Sequence, residues 1–155
     1  MSDISISEAD LEERRKKLPR KINRLYSIPS YIQASYQPLG IFGKAIALHQ
    51  GQKGELSYKD CRVSLPSSYF SISYYEIWKY VGTIKGKKRK ETKSLSDSVF
   101  YRLERAYLHL FKLKSSGDEN KVLFLHCDPY EPKNTEHYRY KVAPHVHFEI
   151  NNTHK

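Results

Sequence analysis

The chain has 155 residues and a net charge of +10, from 27 Lys and Arg against 17 Asp and Glu. Its 39% hydrophobic content with 7 Gly and 7 Pro excludes collagen-like and wholly disordered classes and fits a single folded domain. No apolar run approaches the roughly 18 residues of a membrane-spanning helix, and the excess of cations points to a polyanionic partner.

The first predicted element is a helix. Ser7-Glu-Ala-Asp10 has the form of a capping box, with acids crowding the first turns and Arg14, Arg15, Lys16 and Lys17 following. Pro19 is expected to end or kink this helix near Leu18, with a second short helical piece over 20–26. Residues 1–38 thus read as a basic helical arm, and 39–155 as an α+β core.

From Gly40 to Ile84 the signals are those of strands. Residues 41–48 are apolar, 55–65 alternate with a change of phase near Asp60, and 69–75 alternate at Phe70, Ile72 and Tyr74. Residues 85–93 form a charged excursion holding Lys85, Lys87, Lys88, Arg89, Lys90 and Lys93.

Residues 96–115 are predicted as an amphipathic helix. Val99, Phe100, Leu103, Ala106, Tyr107, Leu110 and Phe111 fall at the spacing of one apolar helical face, and Gly117 would stop it. A strand at 121–127, a loop at 128–136 and a bent strand over 137–150 complete the chain. The expected fold is therefore a single α+β domain: a mostly antiparallel sheet, one packed amphipathic helix and the basic helical arm.

Two constellations carry chemistry. In Pro144-His-Val-His-Phe-Glu-Ile150, strand alternation puts Val146, Phe148 and Ile150 on one face and His145, His147 and Glu149 on the other. Such a face can act as a general acid–base pair on a phosphodiester, with Arg139 steadying the phosphate. It can instead hold a divalent metal through His145, His147 and Glu149, or be the solvated side of a terminal strand. His126 and His137 could join it if 121–127 pairs with 137–143. No cofactor is expected.

The second constellation is basic. Arg14, Arg15, Lys16, Lys17, Arg20, Lys21 and Arg24 form one cluster and the six bases of 85–93 another, suited to phosphate contacts. Tyr69, Tyr74, Tyr75 and Tyr80 offer rings for stacking unpaired bases. RNA is favoured over DNA as partner, and no membrane role is expected.

The stretch Tyr138-Arg-Tyr-Lys-Val-Ala-Pro-His-Val-His147 resembles the Tyr-Arg-Tyr-Asp-Asn-Ala-Pro-His-His ending of the TumE-like toxins of bacterial toxin–antitoxin pairs. About ten residues carry the resemblance, and it departs at Lys141 and Val142. It implies a prokaryotic toxin or defence protein with His145 and His147 at the functional face, and an antitoxin among its partners.

Three functions follow as expectations. The first is an RNA-binding protein acting as a metal-independent endoribonuclease through His145, His147 and Arg139. The second is a non-catalytic basic subunit of a ribonucleoprotein or defence complex. The third is a metal enzyme. Cys61 and Cys127 lie 66 positions apart and form no CxxC pair. With no basic-then-apolar leader at the N-terminus, this predicts reduced thiols and a cytoplasmic location.

Overall fold

The computed structural model describes residues 5–27, 31–41, 43–51, 56–66, 69–84, 98–114, 116–117, 119–127 and 145–148, with the backbone alone at 84 and 145–148. In chain order the elements are β1 (Ser5–Ser7), α1 (Glu8–Tyr26), β2 (Gln33–Pro38), β3 (Gly43–His49) and β4 (Val63–Ser64). They continue with β5 (Phe70–Ile84), β6 (Ser98–Leu113), β7 (Glu119–Cys127) and β8 (His145–Phe148). All the strands join one antiparallel sheet in the order β2-β3-β5-β6-β7-β8. The long β5–β6 pair is its spine. Strands β3 and β4 share the outer side of β5, while β1 and β7 share the outer side of β6.

Helix α1 starts where its cap predicts. The Ser7 hydroxyl accepts a hydrogen bond from the Asp10 amide at 3.2 Å. It then runs unbroken through Pro19, which corrects the expected division into two pieces. Proline costs an interior helix one backbone bond. The turns on either side are held by Leu18 and Ile22, buried in the same core as Leu11. Each such side chain contributes roughly 1.5–3 kcal/mol when removed from water, enough together to offset the loss. The basic stretch therefore supplies three side chains to the core, and the following β2 is a strand of the sheet.

Leu11, Leu18 and Ile22 meet Ile46, Leu48, Ile72, Trp78 and Leu103 on one face of the sheet. Three polar links fasten the helix there. Arg14 binds the buried Glu76 of β5, Arg15 donates to the Ala34 carbonyl of β2 at 2.7 Å, and Lys44 of β3 reaches Glu8 at 2.6 Å.

The predicted 96–115 helix is instead the strand β6. Val99, Leu103, Ala106 and Leu110 pack toward α1, whereas Tyr107 belongs to the cluster on the opposite face. The pairing with β5 slips between Ile77 and Trp78, where Arg105 and then Leu103 are the partners, leaving Glu104 as an extra residue. That bulge converts the two-residue step of the helix-facing side chains into a three-residue step. Apolar side chains on both faces plus one phase change imitate a helical repeat. Among the described residues of the alternating stretch 55–65, only Val63–Ser64 is strand, and residues 58–60 form a turn.

Candidate nucleic-acid interface

The face of the sheet turned away from α1 carries a connected row of rings. It begins at Tyr58, whose centroid is 5.0 Å from Tyr75 of β5, and Tyr75 lies 5.0 Å from Tyr107 of β6. Tyr107 is 5.4 Å from His126 of β7, and His126 is 5.6 Å from Phe124. His109 closes the network, 5.8 Å from Phe124 and 6.0 Å from Phe111. Register explains the row: Tyr75 faces Tyr107, Tyr107 faces His126 and His109 faces Phe124 across adjacent strands. Tyr75 and His126 are buried, while Tyr107, His109, Phe111 and Phe124 remain partly open to solvent.

Cations flank these rings. The Arg62 guanidinium lies 4.0 Å from the Phe111 centroid and Lys121 Nζ lies 4.7 Å from that of Phe124. Lys59 Nζ is 5.8 Å from the Tyr58 ring. Arg62 is oriented by Glu119 at 3.1 Å, and Glu119 also accepts from Ser71. Beneath the row, Ser73 is fully buried directly opposite His109, and its hydroxyl has no hydrogen-bond partner among the described residues.

Strand β8 extends this register to the sequence-predicted histidines. His145 pairs with His126, and His147 pairs with Phe124. Strand β7 thus takes 145–148 as its described neighbour, whereas the expected pairing partner 137–143 lies outside the described residues. Arg139, His137, Glu149 and the bases Lys85, Lys87, Lys88, Arg89, Lys90 and Lys93 also lie outside them. Among the described residues no group of three His, Cys, Asp or Glu side chains is close enough to hold a metal ion.

The basic cluster of α1 is on the other side of the sheet from the rings, because α1 covers the face of Ile46 and Leu48 while Ala47 and Tyr75 share the opposite one. Within the cluster, four bases are engaged by carboxylates. Arg14 pairs with Glu76, Arg15 and Lys16 with Glu12 at 2.6 and 3.4 Å, and Lys17 with Glu13. Hydrogen bonding from Arg15 holds the Glu12 carboxyl far below its ordinary 4.5, at about 2. The hydrogen bond to Glu76 likewise raises the Arg14 pKa, fixing it as a cation. Arg20, Lys21 and Arg24 are exposed and have no ion-pair partner among the described residues.

The predicted tyrosine platform also divides. Tyr74 and Tyr80 pack toward the helix-side core, and Tyr75 alone of the four belongs to the ring row. Phe124 sits in a predicted strand, but nothing local shows which rings lie beside it. Tyr107, His109 and Phe111 escape the sequence reading because 96–115 reads as helix. Their signal was the alternation of Ala106, Leu108 and Leu110 against Tyr107, His109 and Phe111.

Half-open rings with cations above them can stack unpaired bases and neutralise the phosphates between them. Comparison of the chain with protein-family models, curated proteins and solved structures finds no match.

Proposed function

We propose that this protein binds single-stranded RNA across the ring-bearing face of its sheet and cleaves it without a metal ion. The observation that carries this reading is the register of β6, β7 and β8, which aligns His109, Phe124 and His147 in one row and Tyr107, His126 and His145 in the next. Alternate residues of a strand are about 7 Å apart, a span suited to two imidazoles flanking one phosphate. One of His145 and His147 takes the proton of the ribose 2′-hydroxyl. The 2′-oxygen then attacks the adjoining phosphorus. The 5′-oxygen leaves with a proton from the other imidazole, giving a 2′,3′-cyclic phosphate. Arg139 steadies the phosphate. The requirement for a 2′-hydroxyl is what selects RNA over DNA. The net charge of +10 and the resemblance of residues 138–147 to the TumE-like toxins support an RNA target and a prokaryotic toxin or defence role.

The test is incubation of labelled single-stranded RNA and duplex DNA with the protein in EDTA. RNA should be cut to cyclic-phosphate ends and DNA left whole. His145→Ala and His147→Ala should each slow cutting by roughly 10²–10⁴-fold without altering the melting temperature. Cleavage at the parent rate in both variants rejects the catalytic assignment.

A second reading is non-catalytic binding as a subunit of a larger complex. The placement of the α1 bases and the ring row on opposite faces favours it, since two faces can engage two partners. RNA retained but uncut in the same experiment selects that reading.

A further inference from the structure

We propose that the groove between α1 and the outer edge of β2 receives an extended acidic segment of a protein partner, added to the sheet as a further strand. Strand β2 ends the sheet: it pairs with β3, and no described strand pairs with its other side. The direction of its main-chain groups follows from the turn. The Leu39 amide donates to the Gly43 carbonyl at 2.9 Å, which makes 39 and 43 a hydrogen-bonded pair of the β2–β3 ladder. Such pairs alternate in an antiparallel ladder. Residues 37, 35 and 33 therefore bond to β3, while Ala34 and Tyr36 direct their N–H and C=O groups outward. Arg15 confirms this by donating to the Ala34 carbonyl from the groove side at 2.7 Å.

The groove has a volume of about 730 Å³, within the roughly 300–1,000 Å³ of clefts that hold ligands. The helix wall contributes Glu12 beside Arg15, Lys16 and Arg20, which leaves a net excess of two positive charges with Glu12 bonded to Arg15 and Lys16, and the strand wall contributes Ala34, Ser35 and Tyr36. An incoming strand takes the outward Ala34 and Tyr36 amides and the Tyr36 carbonyl, the Ala34 carbonyl being held by Arg15, as sheet edges do when they recruit peptides. The cations on the helix wall then select for acidic side chains on that strand. A peptide satisfies both walls. A nucleic-acid backbone offers phosphates to the cations but no amide donor for the Tyr36 carbonyl.

The experiment uses the full chain and a short fluorescein-labelled peptide of alternating Glu and Thr, with its Gln-for-Glu counterpart as control. Binding is read by fluorescence anisotropy. The Glu peptide should bind at least about tenfold more tightly than the Gln peptide. The exposed pair Lys16→Glu with Arg20→Glu should weaken it by a similar factor. Ala34→Pro should also abolish it, because proline removes an outward N–H that the β2–β3 ladder does not use. Both variants must retain the parent melting temperature. If Ala34→Pro does not, protection of the Ala34 and Tyr36 amides from hydrogen exchange by the peptide replaces it. Failure of the Glu peptide to bind, or binding unaffected by Ala34→Pro and without amide protection, overturns the strand-addition proposal. So does displacement of no peptide but loss of single-stranded RNA binding in the Lys16, Arg20 double variant, which would make the groove a phosphate site.

Discussion

At the scale of single residues, Glu76 is the side chain on which the helix–sheet contact turns. It is fully buried, and a buried carboxylate is tolerated only when paired and hydrogen-bonded. Its oxygens accept from Arg14 Nε at 2.8 Å, from the Arg14 terminal nitrogen at 2.5 Å, from Trp78 Nε1 at 2.8 Å and from the Tyr74 hydroxyl. Burial and the neighbouring carboxylate push the Tyr74 pKa well up, so its hydroxyl stays a donor. Removing one partner of a buried pair costs about 3–5 kcal/mol, whereas an exposed pair is worth less than about 1 kcal/mol. Arg14 is 39% exposed, and Trp78 and Tyr74 still donate to Glu76 in its absence, so Arg14→Ala should lower unfolding free energy by less than that, about 1–3 kcal/mol, in urea titration. Lys79→Ala, which breaks the exposed pair with Glu104, should change it by less than about 1 kcal/mol. Equal effects of the two would mean that Glu76 is not held as a desolvated charge. A loss of RNA binding on changing Arg14 would accordingly report damage to the fold before it reported a lost phosphate contact.

At the scale of elements, α1 was legible and β6 was not. The Ser7 cap and the acids of the first turn are local signals, and they survive into the structure. The run through Pro19 and the seating of the expected basic arm in the core through Leu11, Leu18 and Ile22 both rest on burial, a tertiary contribution that no local signal carries. Strand β6 is apolar on both faces and changes phase at Glu104, so its period cannot be read without knowing its partners. The alternation of His145, Val146, His147 and Phe148 was legible as strand, but its alignment with His126 and Phe124 depends on which strand lies beside it. Helix α1 also makes an acid-sensitive contact. The Glu12 carboxyl titrates near 4.5 when unfolded and about 2 when folded. Between those values the unfolded chain binds more protons, so the stabilisation is present above about pH 4.5 and is lost as pH falls toward 2. Glu12→Gln should lower the urea midpoint at pH 6 and converge with the parent protein near pH 2. A constant difference between the two across that range would remove the ionised Glu12–Arg15 contact as a source of stability.

At the scale of the whole molecule, the net charge of +10 does not describe one basic surface. The sheet separates two sets of cations: those of α1 lie on one face, while Lys59, Arg62 and Lys121 accompany the rings on the other. Affinity for a single strand falls with salt at a logarithmic slope of about 0.7 for each phosphate neutralised. The slope therefore reports which face the strand occupies. If RNA lies across the rings, Lys59→Glu and Lys121→Glu should each lower the slope by about 0.7. Charge reversal at Arg20, Lys21 and Arg24 should weaken binding slightly through the long-range field and leave the slope nearly unchanged. The reverse outcome would move RNA to the helix face. The rings of Tyr107, His109 and Phe124 would then be packing elements, and the cleavage role proposed for His145 and His147 would fall with them. Filter-binding titrations of one RNA oligonucleotide, uncleavable through 2′-O-methylation and measured at several salt concentrations for each variant, separate these outcomes. The methylated strand keeps cleavage from distorting the equilibrium, so the slope is a count of contacts on whichever face holds the RNA.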